Sequence, residues 1–345
     1  MGASAEVPGI DLAGAAERIR DRVHTTPLLR SSSLDREVGA RVWLKAESFQ
    51  RSGSFKARGA FNALLAGLEA GDRRGVLAVS SGNHGQAVAL AAAELGLSAT
   101  VIMPQGASEV KMAAVRSYGA SVITDGVTGE NREEVARNMA AELDLRLVHP
   151  HDDSLVIAGQ STVATELMAQ AEQAGFSPGT VLVPVGGGGL LAGVCLALET
   201  SEPHIRVVGV EPALGDDAKR SFATGRLVSL DRTPATVADG ARTLHLGRLC
   251  WDVVRRRVDE IVTVTDLEIA NACWWLWSRC KLVVEPTGAM TVAAALRAAR
   301  DPSILGAGAP ADGPRAVVCI LSGGNCTPSQ IAELVGSVAG AGQFS

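Results

Sequence analysis

One lysine of the sequence stands in a setting suited to covalent chemistry: Lys56, in KAESFQRSGSFKARGAF (Lys45 to Phe61). It follows Ser52, Gly53, Ser54 and Phe55 and opens onto a helical pattern, Ala57 to Leu68. In a first helical turn against an aromatic ring, an ammonium group meets the positive helix end and partial desolvation. Both favour the neutral amine that attacks a carbonyl. The plain alternative is a solvated surface lysine. A second candidate is the run Gly186 to Gly189 in VLVPVGGGGLLAG. Glycines between an apolar strand and a helix let backbone N–H groups converge on a phosphate or carboxylate. The same residues, as Gly187-x-Gly189-x-x-Ala192 with Glu211 about twenty positions on, also fit a dinucleotide fingerprint, so an NAD-dependent dehydrogenase is the rival reading. The bland reading is a tight turn, although four glycines exceed what a turn needs. The sequence lacks Gly-Lys-Ser/Thr, which excludes a P-loop.

The elements that must carry these residues alternate. Apolar runs at Gly75 to Val79, Ala99 to Met103, Ser121 to Thr124, Val181 to Val185, Val207 to Val210, Ile261 to Val264 and Val317 to Leu321 are separated by amphipathic segments such as Gln86 to Leu95, Lys111 to Tyr118 and Arg132 to Leu143. That alternation predicts an α/β fold with mostly parallel sheets. Three predicted strand-to-helix junctions have unusual turn chemistry: SSGNHGQ (Ser80 to Gln86), GGGGL (Gly186 to Leu190) and SGGN (Ser322 to Asn325). Such junctions lie at the carboxyl ends of strands, where open sheets bind ligands and helix N-termini favour anions. The uncharged stretch Val181 to Leu198 is long enough to suggest a membrane span. Its four glycines after Pro184 favour strand, turn and helix instead. No fixed-period repeat appears, and the one low-complexity segment is the loop Gly306 to Gly313.

At 345 residues and a net charge of -5, with both signs mixed throughout, the chain offers no basic stripe for nucleic acid or an anionic membrane. A small-molecule partner is the default. Six cysteines, all in the second half and without a C-x-x-C pair, suggest neither a zinc site nor disulfides, which fits a cytoplasmic location. The N-terminus carries no cationic, apolar signal segment.

Seven motifs, GSFKARGA, SSGNHGQA, VPVGGGGLLAG, GVEP, VADG, VEPTGA and LSGGN, resemble in order and spacing the fold-type II pyridoxal-phosphate enzymes. The likeness runs from about His24 to Asn325 and is strongest to serine racemases, serine and threonine dehydratases, and hydroxyaspartate dehydratases. It implies a two-domain, tryptophan synthase beta-like fold: a large cofactor domain from residues 1–74 and 152–345, and a small mobile domain from 75–151. It also implies a pyridoxal 5'-phosphate cofactor on Lys56, with Phe55 packing on its ring and Asn83 bonding its 3-hydroxyl. Gly186, Gly187, Gly188, Gly189 and Leu190 would hold its phosphate, and Ser322 would face its pyridine nitrogen. A neutral hydroxyl there makes a weaker electron sink than a carboxylate would.

Ser81 matches a second acid/base on the face opposite the lysine, with an N-cap as its plainer role. Ser81, Asn83 and His84, on a helix-opening turn, are the expected clamp for a substrate carboxylate. The implied reaction is an ammonia-lyase dehydration: Lys56 takes the α-proton, the β-hydroxyl leaves with help from the cofactor phosphate, and a 2-oxo acid and ammonia result. The run ADGARTLHLG (Ala238 to Gly247) is more similar to hydroxyaspartate dehydratases than to racemases, chiefly through Thr243 and His245. It points to 3-hydroxyaspartate ahead of serine or threonine, with His245 and Arg132 on a second carboxylate.

The resemblance further implies a divalent ion, magnesium or calcium, on Glu211, the Gly215 carbonyl and Asp217, where sequence alone suggests a charged turn. An ATP effector site would use Ser31, Ser32, Gln86, Tyr118, Lys281 and Asn325, although Arg51 stands where the family has lysine. The chain is too short after Asn325 for the regulatory domain of biosynthetic threonine deaminases. A homodimer is the implied assembly. Trp274, Trp275 and Trp277, on the predicted helix Leu267 to Cys280, cover more than one helix face and read as packing rather than as a substrate box. A non-catalytic metabolite-binding protein of the same fold is the remaining alternative.

Overall fold

A computed structural model describes residues 10–80, 82–306 and 316–340. Two sheets organise them. The larger runs β1 (Leu28–Arg30), β2 (Arg41–Ala46), β10 (Ala316–Leu321), β7 (Pro178–Pro184), β8 (Arg206–Pro212) and β9 (Glu260–Val264), with only β1 antiparallel to its neighbour. The smaller runs β5 (Ser121–Ile123), β4 (Ala99–Ile102), β3 (Val76–Val79) and β6 (Arg146–Leu147), all parallel.

The reason for parallel pairing is visible in β10, AVVCIL, whose six residues are all buried. Val317, Cys319 and Leu321 face a core that includes Leu182, Val208 and Met290, whereas Val318 and Ile320 face a second core with Val181, Val183 and Leu191. A strand apolar on both faces needs cover on both, and parallel crossovers supply it. Because β10 pairs with both β2 and β7, the two ends of the chain build one sheet around the smaller one.

The helix Lys56–Glu69 belongs to a third core, with Phe61 and Leu64 packed beside Val88 and Val101 of the smaller unit. It crosses the helix Ser154–Gln173 closely, because a Cβ on Gly159 would lie 2.6 Å from Gly59 Cα. Only a glycine at that crossing lets the two backbones meet.

The strand readings are borne out within a few residues, and the suspected span is strand, turn and helix (Gly189–Ser201). No helix among the described residues is long and apolar enough to cross a membrane. Two readings need adjustment. The lysine helix begins at Lys56 itself, and the tryptophan segment is a helix Asp266–Trp275 that widens into a π turn, Leu276–Cys280, ending on Lys281 at φ 59°. Trp275 packs on the large core, and Trp274 meets Trp277 edge to face at 5.8 Å. Most of the loop Gly306 to Gly313 lies outside the described residues.

Candidate active site

The carboxyl ends of β3, β7 and β10 converge on one cavity of about 820 Å³, so all three unusual junctions meet there. β7 and β10, which carry two of these junctions, are direct neighbours in the larger sheet, and open sheets bind ligands at the carboxyl ends of their strands. Lys56 faces this cavity. Its backbone is placed by Phe55, whose N–H donates to the Ser322 carbonyl at 3.0 Å, and by a bridge between Ser54 and Gly323. Its Nζ donates to the Pro150 carbonyl at 2.5 Å and lies 5.0 Å from the Phe55 ring centroid. Burial lowers its pKa to about 8, against the opposing pull of Cys250 and Glu285. The amine is therefore poised near neutrality, as a carbonyl-attacking lysine must be.

Gly186 to Gly189 form the turn between β7 and the following helix, with Gly188 left-handed at φ 90°. A Cβ on Gly187 would lie 2.3 Å from the His151 ring, and one on Gly186 2.8 Å from the Gly240 carbonyl. Backbone is thus laid bare toward the cavity beside a helix N-terminus, a cradle that fits a phosphate. Leu190 is buried behind it, and Ser322 lines the cavity at the end of β10.

Asn83 opens the helix Asn83–Leu95, donating to Glu285 Oε1 at 2.7 Å and accepting from Asn325 Nδ2 at 2.8 Å. Asn325 Nδ2 also donates to the Ser52 carbonyl at 2.7 Å, so four motifs are tied together beside Lys56. Burial, reinforced by Asp239, raises the Glu285 pKa to about 8. His84 is buried with Nε2 on the Val148 carbonyl at 2.9 Å, and its Nδ1 has no partner. Burial and then Lys56 lower its pKa to about 3. A neutral ring whose N–H faces a carbonyl has no side-chain donor for a carboxylate, so any clamp there uses the backbone N–H groups of the turn. Ser81, the expected second acid/base, lies outside the described residues.

Arg132, Thr243 and His245 all line the same cavity. The Thr243 hydroxyl is buried without a partner, and His245 Nδ1 meets its neighbour's carbonyl, Leu246, at 2.8 Å. Across the cavity wall Lys111 donates to Asp239 at 2.5 Å, linking the helix Glu109–Ser117 to the VADG loop. Sequence reasoning assigned no role to Glu285, His149, His151 or this ion pair. Glu285 sat in a quoted motif, and HPHDD (His149 to Asp153) follows a two-residue strand too short to announce itself.

Glu211 and Asp217 are both buried, away from the cavity lining. Glu211 accepts the N–H groups of Ala218 and Lys219 at 2.8 and 3.0 Å, while Asp217 Oδ2 has no partner. Burial, then Asp217, raises the Glu211 pKa to about 9, and burial raises that of Asp217 to about 7. Two unneutralised carboxylates with a bare oxygen suit a hard cation. Among the described residues no group of three His, Cys, Asp or Glu could hold a metal, so an ion here would need the Gly215 carbonyl or water as well. The same bonds occupy Glu211 against the ribose role of a dinucleotide site.

Of the expected nucleotide contacts, Gln86 and Asn325 line the main cavity. Ser31 caps the helix Ser32–Val38, Tyr118 caps the helix Glu109–Ser117, and Lys281 Nζ donates to the Ser278 carbonyl at 2.6 Å. Arg51 is paired with Glu94 and lies over the Phe61 ring at 5.2 Å.

The family model described as pyridoxal-phosphate dependent enzyme matches residues 19–323. The chain is 41% identical over 94% of its length, and 95% of the relative's, to an L-threo-3-hydroxyaspartate ammonia-lyase of Saccharomyces cerevisiae. It is 44% identical to a serine racemase of Schizosaccharomyces pombe, covering 83% of this chain and 87% of the other. Its fold matches the structure of maize serine racemase with a TM-score of 0.85 and 35% identity, over 97% of this chain and 99% of that one. These relatives decide against the dehydrogenase: the chain belongs to the pyridoxal-phosphate dependent enzyme family, among its ammonia-lyases and racemases.

Proposed function

We propose that the enzyme dehydrates L-threo-3-hydroxyaspartate, releasing a 2-oxo acid and ammonia. The observation that carries this reading is the wall of the Lys56 cavity. There the unpartnered Thr243 hydroxyl stands with Arg132 and His245, groups suited to a second carboxylate. Relatives bearing that name support it. Pyridoxal phosphate, when bound, supplies the electron sink that acidifies the α-carbon and loosens the β-substituent. Phe55, Lys56, Asn83, Gly186 to Leu190 and Ser322 are the residues that would hold it.

The Lys56 amine, neutral in a large fraction of molecules near pH 8, takes the α-proton at Nζ. Backbone N–H groups at the start of the Asn83–Leu95 helix hold the α-carboxylate, and Arg132, Thr243 and His245 hold the distal one. The four-stranded unit, residues 75–151, moves as the small domain that shuts out water. Ser81 carries protons on the opposite face. Ser81→Ala is expected to keep elimination from L-substrates but lose exchange of the α-proton from the D-enantiomer in deuterated water. Parallel loss of both would reduce Ser81 to a turn former.

A magnesium or calcium ion on Glu211, Gly215 and Asp217 stabilises the β8 end. Chelator should lower the melting temperature, and magnesium should restore it. ATP is a candidate effector through Ser31, Ser32, Gln86, Tyr118, Lys281 and Asn325. Exposed Trp277 and Val283 support a homodimer, and free cysteines support a cytoplasmic location. Turnover measured on L-threo-3-hydroxyaspartate, L-serine and L-threonine tests the substrate. A kcat/KM highest for serine or threonine would overturn it.

A further inference from the structure

Four of the six histidines, His84, His149, His151 and His245, line the cavity that Lys56 faces. Three have a ring nitrogen hydrogen-bonded to the protein. His84 and His245 meet backbone carbonyls, and His149 Nδ1 accepts the Asp152 N–H at 2.8 Å. Neither ring nitrogen of His151 has a protein partner among the described residues.

Its position is nonetheless fixed. The His151 carbonyl accepts the Cys250 thiol at 3.3 Å, Asp152 accepts the Leu249 N–H at 2.8 Å, and the preceding Pro150 carbonyl holds Lys56. The ring presents its flat face to Gly187, since a Cβ there would be 2.3 Å from each of three ring atoms. A Cβ on Gly189 would be 3.0 Å from the Cβ of His151. Imidazole and glycine turn are therefore one continuous surface, which any side chain at either glycine would break.

Burial first, then His149 and Lys56, holds this imidazole well below its ordinary pKa, so it is neutral with one N–H and one lone pair. A neutral N–H held in a cavity wall without a protein partner is free to donate to an acceptor that enters the cavity. Phosphate oxygens in the adjoining glycine turn are the acceptors that the family's cofactor brings.

We propose that His151 is a cofactor-holding residue: it donates a hydrogen bond to the phosphate seated in the Gly186 to Gly189 cradle, while its ring face walls that cradle. The reading holds whichever amino acid the enzyme takes. The test strips the full-length chain of pyridoxal phosphate, titrates it back by absorbance, and records the phosphorus resonance of each loaded form. His151→Phe keeps a flat wall without the donor and should bind pyridoxal phosphate about ten- to a hundredfold more weakly, the loss of one bond to a charged group. Its bound phosphorus resonance should also move from the wild-type position. His151→Asn, which restores a donor, should recover most of the affinity. Equal affinity and an unmoved resonance in the phenylalanine variant would overturn the proposal. If that variant fails to fold, the isosteric pair His151→Asn and His151→Leu decides: equal affinities for the two would leave the ring as a wall only.

Discussion

At the scale of single residues, burial governs the site more than any charge does. It leads the causes that lower Lys56 to about 8, and it outweighs Cys250 and Glu285, which act the other way. Only the neutral amine attacks a carbonyl, and the folded amine gains its charge as pH falls through about 8. The rate at which added pyridoxal phosphate attaches to the stripped enzyme should therefore rise from pH 6.5 and level off above about 8. Stopped-flow absorbance would read it, and a flat profile would mean another amine is reacting. Lys56→Ala should abolish both turnover and the cofactor label that borohydride fixes to the chain. His245 makes a second case. With the Nδ1–H committed to the Leu246 carbonyl, Nε2 is what it presents to a ligand, and it donates to a carboxylate only as the imidazolium, unlike the neutral His84. His245→Ala should cut kcat/KM for hydroxyaspartate about ten- to a hundredfold, or about 1.5 to 3 kcal/mol, and leave serine nearly unchanged. Equal losses on both would mark a structural histidine.

Among the elements, the helix that begins at Lys56 rests on a buried ionic network. Arg58, in its first turn, donates through Nε and Nη2 to both oxygens of Glu47 at 2.8 Å and reaches Glu166 at 3.1 Å. Lys45 joins through Glu166, and Thr26 donates to Glu47 at 2.6 Å. Removing the guanidinium leaves a buried carboxylate without its main counter-charge, so Arg58→Met should cost about 3 to 5 kcal/mol in urea unfolding. A loss under about 1 kcal/mol would mean that Lys45 and Thr26 suffice. The same network explains what the sequence hid. In β2, RVWLKA, Lys45 is fully buried in an ion pair, so a charged letter interrupts an apolar run and the strand reads as loop. β1 and β6, with three and two residues, are too short for any period to show. By contrast β10 and β7 were legible because both faces are apolar, and Gly186 to Gly189 because turn chemistry is local. The contacts His151 makes with Gly187 were not legible, since they join residues 36 positions apart that only the tertiary fold brings together.

For the molecule as a whole, the cavity lies between two sheets, and an ion pair in its lining has a partner on each side. Lys111 comes from the helix after β4 of the smaller sheet, and Asp239 from the loop between β8 and β9 of the larger. Both side chains are about one quarter exposed, at 23% and 27%, so water screens the pair and its share of folding stability is small. Its leverage lies elsewhere: if residues 75–151 move, the contact exists only while the two units are closed, and it adds directly to the closing equilibrium. A pair of about 1 kcal/mol shifts that equilibrium about fivefold. Lys111→Met and Asp239→Asn should each raise KM by about that factor, the double variant should be no worse than either single one, and melting temperatures should stay within about 2 °C of wild type. Steady-state kinetics on the double-mutant cycle, repeated at high salt, would read the coupling. A fall in melting temperature with KM unchanged would make the pair a fixed strut and the small unit a rigid part of the fold.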